Sequence, residues 1–183
     1  MTSLEQIDYG PLACLVGEWQ GCSGIDVSPE EDGKEINNYR EILTFRRAGD
    51  LDNAETQELV VVEYRQTVHR IDDEKLIHQE SGYYSWDSEN RQLIKSFSIP
   101  RGIAIVASGE LNFSSEKMIC SLKADHETGI SESMFMQENA KTRSYLFEMS
   151  VEGDSLTYRQ SMTLDIYDRE FEHTDKHTLK KIM

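Results

Sequence analysis

Apolar and polar residues alternate along most of the chain with a period of two, the mark of strands that bury one face and expose the other. Across 59–68, Val60, Val62, Tyr64 and Val68 share one face, while Glu63, Arg65 and Thr67 share the other. Across 117–124, Met118, Cys120, Leu122 and Ala124 alternate with Lys117, Ser121 and Lys123. Tyr145, Phe147, Met149 and Val151 alternate with Ser144, Glu148 and Ser150, and after Glu152, Gly153 and Asp154 the pattern resumes at Leu156, Tyr158, Met162 and Leu164. Gly153 and Asp154 tolerate the positive φ of a tight turn, so this stretch predicts a hairpin. Shorter strand candidates occupy 39–45, 83–86, 92–98 and 103–109, each bounded by Gly, Pro, Asn or Asp. Eight or more short strands at regular spacing predict an all-β barrel or sandwich.

Helical signals are few. Pro11, Leu12, Leu15 and Val16, with Gly17 as the stop, predict a short helix that would cover one mouth of a barrel. The stretch 47–58 is acidic, contains Gly49 and Asn53 and shows no periodicity, so it reads as an exposed loop. With no internal repeat or linker, the 183 residues fit a single domain spanning 1–183.

Charge narrows the partners. Lys and Arg number 19 against 34 Asp and Glu, a formal charge of −15. Nucleic acids and anionic membrane surfaces are bound through clustered Lys and Arg, and no basic run is longer than Lys180, Lys181. Neither is an expected partner. No apolar stretch approaches the roughly 20 residues that cross a bilayer, and 1–10 lacks a basic, then apolar, leader. The expectation is a cytoplasmic protein. Cys14, Cys22 and Cys120 form no C-x-x-C pair and read as free thiols.

Phosphate-loop, H-E-x-x-H, EF-hand and G-x-S-x-G signatures are absent. Among the five histidines, His173 and His177 would share a face if the tail were helical, and with Asp175 between them a metal site is conceivable. A solvated polar tail accounts for the same spacing. His78 and Glu80 lie two apart, so a strand places them on one face, where the carboxylate could orient the imidazole or pair with it as acid and base. Trp19 and Trp86 read as packing residues.

These residues also carry a family resemblance. Pro11, Leu12 and Leu15 leading into Gly17, Trp19, Gly21 and Gly24 are similar to the P-L-x-x-L-x-G-x-W-x-G-x-x-G opening of the nitrobindin-type haem-binding β-barrels. That family is related to the fatty-acid-binding and lipocalin barrels and to the haem-binding domain attached to THAP-type zinc fingers. His78, Gln79, Glu80, Ser81, Gly82 and Tyr83 resemble its H-x-E-S-G-Y, following Tyr64 and Gln66 at the family's spacing. Pro100, Arg101, Gly102 and Gly109 resemble its third block, and Tyr158, Gln160 and Met162 precede a histidine-bearing tail as in the family.

The resemblance implies a single antiparallel up-and-down barrel of about ten strands with a short N-terminal helix. It implies ferric haem b in the cavity, with His173 as the iron ligand and His177 as the fallback. Thr174, Asp175 and Lys176 stand where the family has apolar residues after its ligand, and Ser85 where it often has Arg. His78 would approach the opposite haem face, and Tyr64, Ile77, Met149 and Met162 would supply apolar wall. Arg101, Arg40 or Lys176 would meet the propionates. The chemistry implied is nitric oxide binding, with isomerisation of peroxynitrite to nitrate as the enzymatic extension. The alternative is a non-haem carrier or sensor of a lipophilic small molecule, with His78 and Glu80 as polar anchors. An exposed strand edge would let two copies pair as a homodimer, although no outward apolar stripe argues for one.

Overall fold

The computed structural model describes residues 4–54 and 56–182. Its strands are β1 (Gly17–Glu30), β2 (Gly33–Ala54), β3 (Gln57–Arg70), β4 (Leu76–Asp87), β5 (Gln92–Ile99), β6 (Ile103–Phe113), β7 (Lys117–Asp125), β8 (Ile130–Glu132), β9 (Ala140–Glu152), β10 (Ser155–Ile166) and β11 (Arg169–Ile182). Each pairs antiparallel with its sequence neighbour, except that β7 pairs with β9 and the short β8 lies against β6. β11 returns to β1, setting Trp19 opposite Lys181 and Asp26 opposite Asp175. Ten strands therefore close into an up-and-down barrel, and closure pairs both edges of that sheet.

The period-two pattern explains the strands. Met118, Cys120, Leu122 and Ala124 of β7 point inward, and Tyr145, Phe147, Met149 and Val151 of β9 meet them in one core. Glu152 faces Ser155 across a two-residue turn in which Gly153 has φ +55°. The predicted N-terminal helix is a 3-10 turn (Gly10–Cys14) with Pro11 and Leu12 buried. It caps one end of the barrel beside Trp19 and Trp86, both core residues, and the Trp19 indole Nε1 donates to the Leu15 carbonyl at 2.8 Å. At the opposite end, β8 leads into α1 (Met134–Asn139), capped by Ser133, whose Oγ accepts from the Met136 amide. Cys14, Cys22 and Cys120 are free thiols, and burial pushes Cys120 up to about 12. Among the described residues no helix is long and apolar enough to cross a membrane.

The stretch 47–58 corrects the sequence reading. It is strand on both sides of a hairpin, with Asp50 opposite Val60, Leu51 opposite Leu59 and Ala54 opposite Gln57. Register shifts between Arg47 and Gly49 and between Leu51 and Ala54 break the period, and most of this part of β2 is exposed. A strand without a buried face has no reason to alternate, so its sequence looks like a loop.

Charged residues stand on the inward face as well. Lys95, flanked inward by Leu93 and Phe97, is fully enclosed. Its Nζ donates to Glu80 Oε1 at 2.9 Å and to the Tyr145 hydroxyl at 3.0 Å. The Phe97 and Phe147 ring centroids each lie 4.3 Å from Nζ. Tyr64 donates to the same Glu80 oxygen at 2.6 Å. Removing the cation leaves a buried carboxylate uncompensated, so Lys95→Met should cost about 3–5 kcal/mol in urea unfolding. A cost below about 1 kcal/mol would mean that Tyr64 and His78 alone satisfy Glu80.

Candidate functional site

A cavity of about 1200 Å³ opens at the α1 end of the barrel. Its floor is polar, formed by Gln66, Tyr39, Tyr158 and Gln160. Gln66 Nε2 donates to Glu41 Oε1 at 2.8 Å, and the Tyr158 hydroxyl donates to Glu41 Oε2 at 2.6 Å. Tyr39 reaches this layer because Gly24 leaves room for its ring; a Cβ there would stand 2.2 Å from it. Above the floor the walls differ. Val68, Ile77, Ile99 and Ile103 on β3 to β6 are apolar, joined by Met162 and Leu164 of β10, whereas Asp26, Asn37, His173 and Asp175 make the side formed by β1, β2 and β11 polar.

The polar side is built by strand geometry. Residues 173 and 175 lie two apart on β11, and Asp26 is the register partner of Asp175 on β1. His173 Nε2 lies 2.7 Å from Asp26 Oδ1 and 3.6 Å from Asp175 Oδ2. Asn37 Nδ2 donates to Asp26 Oδ2 at 3.0 Å, and Gln160 Nε2 donates to Asp175 Oδ2 at 3.1 Å. Gln160 Oε1 accepts from Tyr145 at 3.0 Å, so hydrogen bonds run unbroken from Lys95 to the cavity wall.

This arrangement separates the titrations. Burial raises Asp26, but His173 and Asn37 outweigh it and hold the carboxyl below its usual range. Asp175 is pushed up by burial and by the Asp26 charge, against the pull of His173. Burial works to lower His173, yet Asp26 and Asp175 hold it above the ordinary 6.5. His78, 3.3 Å from Glu80 Oε2, is likewise raised, because Glu80 overcomes the burial. Glu80 itself, despite complete burial, is held at about 2 by Lys95, His78 and Tyr64.

Of the residues singled out in the sequence, His173, His78, Ile77 and Met162 line the cavity. Tyr64 lies beneath the floor on Glu80, and Met149 belongs to the core below. The tail is strand, so His177 shares the inward face with His173 but sits deeper: its Nδ1 contacts Glu41 at 2.9 Å and its Nε2 accepts from the Ser23 amide at 3.1 Å. Arg101 lines the mouth, whereas Arg40 pairs with Glu74 outside and Lys176 is exposed. The sequence reading missed Asp26 and Asn37, and it noted Gln160 within the family pattern without giving it a place at the site. Asp26 falls between Ile25 and Val27, and only the pairing of β1 with β11 shows what it meets.

Raised histidine values stabilise the fold below pH 6.5, and that contribution is lost as pH climbs through the folded values. Proton NMR titration of the imidazoles should therefore show His173 and His78 titrating above 6.5 in the native protein. In Asp26→Asn, His173 should move down while His78 stays. An unmoved His173 would remove Asp26 as its partner.

No curated protein matches this sequence. The crystal structure of Rv2717c from M. tuberculosis is similar, with TM-score 0.74 at 18% identity over 96% of this chain and 100% of that one, which shows a shared fold. The family model described as "THAP4-like, heme-binding beta-barrel domain" matches residues 8–181. Since that match runs through nearly every strand of the barrel, the chain belongs to the THAP4-like haem-binding β-barrel family.

Proposed function

We propose that this protein binds a small amphipathic molecule in the open cavity, with the apolar body against Val68, Ile77, Ile99 and Met162 and the polar end at Asp26, His173 and Asp175. The observation that carries this reading is the cavity's division into an apolar and a polar wall above a sealed, hydrogen-bonded floor. Family membership supports ligand binding in the barrel and brings haem forward as the ligand class.

The residues present do not suit haem ligation by His173 as they stand. An imidazole nitrogen directs a hydrogen bond and a metal bond along the same in-plane direction. Asp26 Oδ1, at 2.7 Å, stands along that direction from Nε2 and is itself fixed by Asn37. The second carboxylate, on Asp175, lies 3.6 Å from the same nitrogen, on a wall where the family has apolar residues after its ligand. His177, with both nitrogens engaged beneath the floor, offers no substitute.

Haem b remains the second reading, favoured by the family match and by two histidines, His78 and His173, on one cavity. It requires Asp26 to release Nε2. Nitric oxide binding and peroxynitrite isomerisation belong to that reading alone.

Two titrations separate these readings. Nile red, a neutral probe, should bind saturably with a fluorescence rise, and Ile77→Trp and Met162→Trp should each weaken it by about tenfold or more by filling the apolar side. Indifference of the probe to both variants would remove the cavity as the site. Ferric haem should give no Soret shift that depends on His173. A saturable one-to-one Soret band, lost in His173→Ala and kept in His177→Ala, would establish the haem reading and bring nitric oxide and peroxynitrite into the tests.

A further inference from the structure

We infer that Asp26, His173 and Asp175 form a binding site for a first-row divalent metal ion outside any macrocycle, on the polar wall of the cavity. The three residues offer one nitrogen and two carboxylate oxygens, all within 4.8 Å of one another. Ligands held about 2.0–2.2 Å from one ion lie roughly 3–3.5 Å apart in tetrahedral or octahedral geometry. The present separations from His173 Nε2, 2.7 Å to Asp26 and 3.6 Å to Asp175, bracket that spacing, so an ion enters once Asp26 Oδ1 swings off the Nε2 axis and becomes a co-ligand beside it.

Charge gives a second, independent argument. Asp26 and Asp175 are two largely buried carboxylates from adjacent strands, and among the described residues neither has a Lys or Arg within ion-pair distance; the partner of both is His173. Arg70, which also lines the cavity, is drawn off by Glu35 and Asp73. Lys95 is committed to Glu80 beneath the floor. Among the described residues, His173 is the one basic side chain within ion-pair distance of both carboxylates. A dication with a neutral imidazole balances the pair in full, and its binding would expel the imidazole proton.

The donor set and its supports fix the class. Mixed imidazole and carboxylate ligands suit Zn²⁺, Fe²⁺, Co²⁺ or Mn²⁺, whereas thiolate-seeking ions find no cysteine in the cluster. Asn37 on Asp26 and Gln160 on Asp175 occupy the place of the outer hydrogen bonds that orient metal ligands. Three protein ligands on one wall leave the cavity side of the ion open, as in sites that bind a further molecule. The inference goes beyond the cavity reading and rests on it in one respect: the open position would receive the polar end of the bound ligand.

The test uses tag-free, chelator-stripped protein titrated with Zn²⁺ by calorimetry and with Co²⁺ by its visible absorption. One ion per chain is expected. His173→Ala and Asp175→Asn should abolish saturable binding of both ions, and Gln160→Ala, which touches no ion, should weaken it by about 10–100-fold. His126→Ala, away from the cluster, should change nothing. Zn²⁺ should also raise the melting temperature of the native protein and leave that of Asp175→Asn unmoved, a variant whose folding is checked by circular dichroism. Absence of saturable binding, or binding indifferent to both His173→Ala and Asp175→Asn, would overturn the site. Nile red binding that survives such a failure would leave the cavity reading intact. Loss of Nile red binding with one Zn²⁺ still bound would instead overturn the cavity reading and keep the metal.

Discussion

Two carboxylates inside the barrel, Glu41 and Glu80, decide where the packed core ends and the cavity begins. A charge of this kind is tolerated in a low-dielectric interior only when it is fully paired or hydrogen-bonded. Glu80 takes Lys95, Tyr64 and His78; Glu41 takes Gln66, Tyr158 and His177. Those partners come from β3, β4, β5, β10 and β11, so satisfying two side chains ties together strands far apart in sequence. Below this layer the interior is aromatic and aliphatic, and above it the chain leaves space.

The same layer joins stability to the site. Lys95, Tyr145 and Gln160 connect Glu80 to Asp175, so the group that neutralises the floor also positions a carboxylate on the cavity wall. Buried polar networks of this kind rigidify when every member is satisfied. Here the network ends at Asp175, 3.6 Å from the His173 that Asp26 holds.

Much of the fold was legible because strands with one wet face must alternate. β7, β9 and β10 and the Gly153 turn follow from Met118, Cys120, Leu122 and their counterparts directly. The outer part of β2 was not legible, since Leu51, Asp52 and Asn53 are exposed and carry no periodicity. The site was half legible. His173, His78, Ile77 and Met162 could be named from pattern and resemblance, but their meaning turns on Asp26, which lies 147 residues from His173 and meets it only through the pairing of β1 with β11. A usable signal did exist for the floor: Lys95 between Leu93 and Phe97, Glu41 between Tyr39 and Leu43, and Gln66 between Tyr64 and Val68 each place a polar residue in the inward phase of a strand. Such an interruption marks a residue with an internal partner, whereas the same residue in the outward phase carries no information.

The sealed floor has a consequence for what this barrel can select. A tunnel open along its axis would accept long chains and grade them by thickness. Here Gln66 and Tyr158, both bonded to Glu41, and Tyr39, bonded to Tyr158, close the way partway down with bonds that a hydrocarbon tail cannot replace. A molecule seated in this cavity would therefore be measured by depth, and any length beyond the floor's reach would stay in the solvent, between α1 and the outer ends of β10 and β11.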